Sequence, residues 1–455
     1  MACKAIGTSV LEFVHHTEKF KKYIFDQVTD EDLKDVLITI HRYQEGLFSF
    51  VQTGALSITT EFLNSVIKVN LDEEMKLNYD TIVACVKMLN EARKDNSGFK
   101  LPMFALMLLV AGAQKYKRSQ GIDKDMRTGK PSKFEDEKMD SIRRIGEFAF
   151  KAYTVSKFKG KDDSSEVKKI LGLDSRKKIL HHHSSNKEND YIPKFIAFID
   201  DESKSVVLAV RGTKSHKDIL IDLVCSEAEF LDGCAPQGML MSAQKILDKC
   251  ERKIAKALEN NPGYKLIITG HSLGGGVSIL IAMIILSRES KRINPDAVKV
   301  KCYAFAPPPV FCKGDLKQFK KNITIIINGK DCVPRLSLAS VEKFLAMMKA
   351  IDAHETSFSE RKDIYTKEED KIDSFEKICG IIDDVPKTKL LQMEHPGKIL
   401  HINRDGGKGT DKKFILYESK SKHFRNLVVY KHMIRDHGSK FFAEALQHTR
   451  CIFDD

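Results

Sequence analysis

Tryptophan is absent from this chain of 455 residues, and proline is sparse at 12. No apolar run reaches the ~20 residues that a membrane-spanning helix needs. The most apolar stretches, "FALMLLVAGA" (104–113) and "VSILIAMIIL" (277–286), are far shorter. The start, "MACKAIGTSVLEFVHHTEKFKKYIFD", lacks a basic head followed by a sustained apolar core, so no secretory signal is expected. The ten cysteines are dispersed, with no Cys-x-x-Cys pair, and in such a chain they read as reduced, mostly buried thiols. Both observations lead to a cytoplasmic expectation. Also missing are an EF-hand loop, a phosphate-binding loop, a dinucleotide fingerprint, zinc-finger spacing and any internal repeat. No metal and no cofactor is expected.

Hydrophobic residues at 42% and charged residues at 30% match a soluble globular chain that can bury a sizeable core. The formal charge is +12. Its Lys clusters, such as "KFKKY" and "KFKGKDD", are mixed with acids, and no aromatic stripe accompanies them. Nucleic acid is therefore not expected as a partner. A solvated basic face, or peripheral contact with an anionic membrane surface, fits better.

Residues 1–135 read as a helical N-terminal region. "TDEDLKDVLITIHRYQEGLF" and "NYDTIVACVKMLNEARKDNSG" place apolar residues at helical spacing, and "LPMFALMLLVAGAQKY" is apolar nearly all round. "GIDKDMRTGKPSKFEDEK" (121–138) reads as a linker. Next come the helix "DSIRRIGEFAFKAYT" and the polar loop "LHHHSSNKEND". After that polar segment the texture changes to β-rich runs: "KFIAFID", "SVVLAVRGT", "KLIITG", "KVKCYAFAPPP", "NITIIING", "GKILHIN", "KFILYES" and "NLVVY". Strands alternating with helices imply an α/β fold with a mostly parallel central sheet. The triplet His181, His182 and His183 lacks spaced partners and reads as solvent-exposed rather than metal-binding.

The most informative stretch is "LIITGHSLGGGVSILIAM" (266–283). Gly270-x-Ser272-x-Gly274 stands between a β-branched strand and a small-then-apolar helix, the context of a nucleophile elbow. There a serine held at a sharp, strained turn lifts its hydroxyl above the sheet, and the glycines admit close backbone neighbours. The N-terminus of the following helix favours a developing negative charge. His271, although adjacent, points elsewhere from such a turn and is not expected to be the base.

A serine hydroxyl needs a base and an orienting acid, which in this fold class follow it in chain order. Asp331, just past the strand "ITIIIN", is placed for the acid, with Asp315 and Asp352 as competitors. In "NLVVYKHMIRDHGSKFFAEALQH", position favours His437 as base, and His432 is the runner-up. For the oxyanion hole, the N–H of Leu273 is one donor, and Thr213 in "LAVRGTKSHKD" is the expected second.

"VVLAVRGT", "DILIDLVCS", "DGCAPQGMLMSA", "LIITGHSLGGGVS", "CYAFAPPPVF", "DCVPRLS", "PGKILHI" and "MIRDHGSKFFAEAL" follow one another in an order that resembles the class 3 lipase family of α/β-hydrolases, over about residues 140–448. Ala-Pro-Pro-Pro and Val-Pro-Arg-Leu-Ser are similar to its diacylglycerol-lipase-like branch. The resemblance implies Ser272 as nucleophile, Asp331 as acid, His437 rather than His432 as base, and Thr213 as second oxyanion donor. One departure stands out, Gln237-Gly238 where many relatives have His-x-Gly. The four-helix membrane segment of animal diacylglycerol lipases has no counterpart in residues 1–135, so membrane access is expected to be peripheral.

The expected organisation is thus an α/β-hydrolase domain over 136–455, behind the helical 1–135. An insert at about 337–392 serves as cap or regulatory loop, helical at "LASVEKFLAMMKAI" and then charged at "ETSFSERKDIYTKEEDK". The expected activity is hydrolysis of an acylglycerol ester through an acyl-enzyme. A catalytically silent lipid-binding protein on the same fold is the alternative.

Overall fold

The computed structural model describes residues 103–119, 130–131, 136–158, 164–184, 192–212, 227–354, 371–406, 413–430 and 432–450. Two compact units divide them. One takes those within 126–340, 390–427 and 435–455; the other takes those up to 125 and within 341–389 and 428–434. Among the described residues the helices are α1 (Met103–Ser119), α2 (Asp136–Val155), α3 (Ser164–Leu171), α4 (Gln237–Asn260), α5 (Leu273–Leu286), α6 (Leu338–Ala353), α7 (Lys371–Asp383) and α8 (Ser439–His448). The strands are β1 (Lys130–Pro131), β2 (Ile179–His183), β3 (Phe195–Asp200), β4 (Ser205–Val210), β5 (Glu227–Phe230), β6 (Gly233–Pro236), β7 (Lys265–His271), β8 (Val300–Phe305), β9 (Ile323–Asn328), β10 (Lys398–Gly406), β11 (Lys413–Ser419) and β12 (Thr449–Arg450).

The larger unit is built on one sheet in the order β1-β11-β10-β9-β8-β7-β4-β3-β2, with β12 beside β11. Its centre, β4-β7-β8-β9-β10, is parallel throughout, and β2, β3, β11 and β1 pair antiparallel at the flanks. Every residue of β4 is buried, as both faces of a parallel sheet must be when helices cover them. On one face α2 presents Ile142, Ile145, Phe148, Ala149 and Ala152 at helical spacing to Phe198, Val207, Ala209, Ile267 and Phe305. Strand alternation turns Val206, Leu208, Leu266 and Ile268 to the opposite face, where α4 and α5 lie. α5 is apolar all round because all its residues but Leu286 are buried. This is the mostly parallel, helix-covered central sheet that the strand–helix alternation implied, in the α/β layout that the family resemblance led one to expect.

The smaller unit is helical in its described part. α1 packs on α7, where Tyr116 Oη donates to Glu376 Oε1 at 2.7 Å. Thr388 bonds Glu342, and the Val429 N–H donates to the Gln114 side-chain oxygen at 3.3 Å. The expected helix at "LASVEKFLAMMKAI" is α6, whose residues from Val341 onward belong to this unit. The expected helices before residue 103 and the charged stretch 355–370 lie outside the described residues.

Four expectations need correction. "NLVVY" forms no strand; residues 427–430 are irregular, so β11 is the strand that precedes the His437 loop. His181–His183 belong to β2, paired with β3, rather than to a polar loop; His181 stacks on Phe195 at 5.2 Å. The linker is interrupted where Lys130 and Pro131 pair with β11. Finally, Cys234 and Cys312 form a disulfide. Their 78-residue separation hid it, and an antiparallel bridge brings their Cα atoms to 5.2 Å. Cys250, Cys302, Cys332 and Cys379 lie outside that disulfide and are buried. Cysteine usage therefore no longer argues for a reducing compartment.

His395 is wholly buried, and its Nε2–H donates to the Pro334 carbonyl at 2.8 Å. Burial pushes its pKa from 6.5 down to about 4. The unfolded chain therefore takes up the proton first, and the stability held by neutral His395 is whole above about pH 6.5 and lost as pH falls toward about 4. Denaturant unfolding at pH 7 and pH 4.5 should show a loss of about 2 kcal/mol from this group. His395→Gln, which keeps a donor for Pro334, should flatten that part of the fall; an unchanged slope would refute the assignment.

Candidate active site

β7 runs between β4 and β8, with Gly270 in register with Val210 on one side and Ala304 on the other. The strand ends at His271, and α5 begins at Leu273, so Ser272 alone makes the turn. Its backbone takes φ 61° and ψ −133°, a conformation that L side chains rarely adopt. Its N–H donates to the Phe305 carbonyl at 2.8 Å, anchoring the turn to the end of β8. A Cβ on Gly274 would overlap the Val210 carbonyl oxygen and reach the Gly212 nitrogen at 2.7 Å. One on Gly270 would overlap the Gly274 carbonyl and lie 2.7 Å from Val210 O. These glycines are needed because three backbones meet there.

Asp331 follows β9 by way of Gly329, whose φ is +49°. A Cβ on Gly329 would lie 2.5 Å from Asp436 Oδ2, so the turn leaves room for that carboxylate. Asp331 Oδ1 accepts the Val333 N–H at 2.9 Å, and its carboxylate lies 3.0 and 3.1 Å from His437 Nδ1. A carboxylate only accepts, so Nδ1 carries the hydrogen and Nε2 presents a lone pair. That Nε2 lies 2.9 Å from Ser272 Oγ. Ser272, Asp331 and His437 are all buried, at 1%, 1% and 5% exposure. The structure thus brings together the three expected side chains, from the ends of β7 and β9 and from the loop before α8.

The other expected residues fall as follows. Leu273 supplies the first N–H of α5, which has no intrahelical acceptor and lies next to the nucleophile. Thr213 lies outside the described residues. His432 belongs to the smaller unit, and Ser272 is bonded by His437. Asp315 caps a turn through Lys317 N–H, and Asp352 lies on α6. Gln237 opens α4 directly after Pro236. Among the described residues, no group of three or more His, Cys, Asp or Glu side chains is gathered to hold a metal ion.

Several supporting residues carried no signal in the sequence. Asn328 Nδ2 donates to the Asp436 carbonyl at 2.9 Å, and Asp436 Oδ2 accepts the Lys330 N–H at 2.9 Å. These two bonds stitch the Asp331 loop to the His437 loop across more than a hundred residues. His271 Nε2 lies 2.9 Å from the His437 carbonyl. Gly212 packs under Tyr153, His271 and Ser272, and only its lack of a side chain fits there.

Gly274→Ala should destabilise the larger unit by about 3 kcal/mol or more, a fall of roughly 10 °C in melting temperature, because the overlapping atoms are backbone. A calorimetric scan showing no fall would contradict the close approach.

The sequence is similar to known proteins over part of its length. Residues 207–341 match the family model described as Lipase (class 3). Human diacylglycerol lipase-alpha is 32% identical over 169 residues, which is 34% of this chain and 15% of that protein. Mouse diacylglycerol lipase-beta is 32% identical over 188 residues, 39% of this chain and 26% of the relative. Secreted mono- and diacylglycerol lipase A of Penicillium cyclopium is 30% identical over 148 residues, 31% of this chain and 46% of the relative. The chain thus spans less than half the length of each of these relatives. Among solved structures, a lipase from Rhizopus microsporus var. chinensis aligns with TM-score 0.44 at 16% identity, over 69% of this chain and 91% of that one. The serine turn, both glycines and Asp331 all fall inside the segment that matches the class 3 lipase model, and the similarity to the diacylglycerol lipases covers 34–39% of the chain.

Proposed function

We propose that this chain is a serine hydrolase that cleaves acylglycerol esters, acting on di- or monoacylglycerol through an acyl-enzyme. The observation that carries the reading is the buried relay from Asp331 through His437 Nδ1 and Nε2 to Ser272 Oγ, each link at 2.9–3.1 Å. A polar chain of this kind is costly to bury, and its geometry matches what nucleophilic attack requires. The names of the relatives support the substrate class.

In the proposed scheme Ser272 Oγ attacks the ester carbonyl carbon while its proton passes to His437 Nε2. Asp331 holds the resulting imidazolium through Nδ1–H. The Leu273 N–H, with Thr213 as expected partner, faces the oxyanion. Collapse expels the glycerol oxygen, which takes the proton from Nε2 and leaves the acyl group on Oγ. Water then attacks that ester, gives its proton to Nε2, and releases the fatty acid as Oγ is reprotonated.

We further infer peripheral action at anionic bilayers, in keeping with the charge of +12. Among the described residues no helix is long and apolar enough to cross a membrane. Phospholipid is the substrate to compare against acylglycerol in any panel.

A fluorophosphonate probe should label the wild type, and Ser272→Ala should remain unlabelled. His437→Ala and Asp331→Asn should each lower kcat on diacylglycerol by about four orders of magnitude. Equal labelling of wild type and Ser272→Ala would sink the reading and leave a silent lipid-binding protein, whereas loss in His432→Ala alone would overturn the assignment of His437 as base. Sedimentation with vesicles should show binding to anionic lipid that weakens between 50 and 500 mM salt; salt-independent binding would refute the electrostatic contact.

A further inference from the structure

His271 is buried, and the proton-transfer scheme does not use it. It sits in a box formed by Phe150, Tyr153 and Phe442, with ring centroids at 5.4, 5.8 and 6.0 Å. Both of its nitrogens are committed. Nε2 lies 2.9 Å from the His437 carbonyl, and Nδ1 lies 3.1 Å from Tyr153 Oη. A carbonyl only accepts, so Nε2 carries the hydrogen; Nδ1 is then the acceptor, and the Tyr153 hydroxyl must donate. Burial pushes the Tyr153 pKa up, which keeps that hydroxyl a donor. Burial, and then the nearby His437, hold the His271 pKa well below 6.5.

The His437 ring lies 4.8 Å from the His271 ring, and the two planes are tilted by 30°. A cation at His271 would oppose the imidazolium that His437 forms in the proposed reaction; a neutral ring in that place does not. The bond to the His437 carbonyl has a second consequence. Asn328 already holds the preceding carbonyl, that of Asp436, at 2.9 Å. With two successive carbonyls pinned by buried donors, the Cα–Cβ direction of His437 is fixed.

We propose that His271, oriented by Tyr153, is a positioning residue that sets the placement of His437 relative to Ser272. The inference rests on the reading of Ser272 and His437 given above. It assigns a task to the residue between Gly270 and Ser272, which the sequence had left without one.

The test uses the full chain, a soluble short-chain p-nitrophenyl ester and a fluorophosphonate probe. His271→Leu fills the box but donates nothing. It should lower kcat and the labelling rate 30–100-fold with KM changed less than twofold, and it should weaken the downfield proton resonance of the His437–Asp331 hydrogen bond. His271→Gln, whose amide reaches the His437 carbonyl, should recover activity to within fivefold of wild type. Tyr153→Phe removes one hydroxyl and keeps the ring; it should lower kcat 3–10-fold, and it reports on the same device if His271→Leu does not fold. The proposal is overturned if Leu and Gln at 271 behave alike, if the loss follows melting temperature rather than the resonance, or if Tyr153→Phe equals wild type. His437→Ala separates the two readings. If it leaves labelling intact, the relay itself is wrong; if it abolishes labelling while the 271 and 153 variants stay active, only this inference fails.

Discussion

A single close approach governs this molecule: the end of β7, the first turn of α5 and the Val210 carbonyl share a space that admits no side chain. Ser272 has to turn the chain within one residue, so it takes φ 61°. Such a backbone costs on the order of 1–3 kcal/mol. The apolar side chains of α5, among them Ile279, Leu280, Ile281 and Met283, are fully buried. Each contributes about 1.5–3 kcal/mol relative to exposure, so the helix outweighs the strain severalfold. The hydroxyl is thereby presented at the carboxyl end of the sheet by a framework too dense to relax.

Everything polar in the site answers to the resulting burial. Asp331 is sequestered from water, yet its oxygens accept from His437 and from the Val333 N–H, so its charge is compensated. The loops that carry Asp331 and His437 lie far apart in sequence. They are registered to one another by Asn328 and Asp436, and to the serine turn by His271. Rigid strands supply the coarse placement, and side-chain-to-backbone bonds supply the last few tenths of an ångström.

The elbow was legible because it is local. Strand, glycine, serine, glycine and helix occupy adjacent positions, and each constraint acts on a neighbour. Asp331 was legible as the acid just past a strand end, though position alone left Asp315 and Asp352 standing. Position favoured His437 but left His432 standing, because both lie in the stretch that precedes α8; the family resemblance strengthened the choice, and the fold assigns them to different units. The supporting layer was illegible. Tyr153, Asn328, Asp436 and Gly212 meet through tertiary packing over separations that leave no spacing pattern. The same holds for Cys234 and Cys312. "NLVVY" misled because β-branched content records burial as well as strand, and Leu427 and Val428 are buried without pairing into the sheet.

The sulfur link from Cys234 to Cys312 encloses α4, β7, Ser272, α5 and β8 in one covalent ring, while Asp331 and His437 stay outside it. Closing a loop of that size removes about 4.5 kcal/mol worth of chain freedom from the denatured ensemble. A protease that cut once inside the ring would leave its fragments tethered, whereas a cut at the exposed Ala353 or His354 would break the covalent path from Ser272 to His437. The chain is thus armoured around its nucleophile and left severable between the nucleophile and its base.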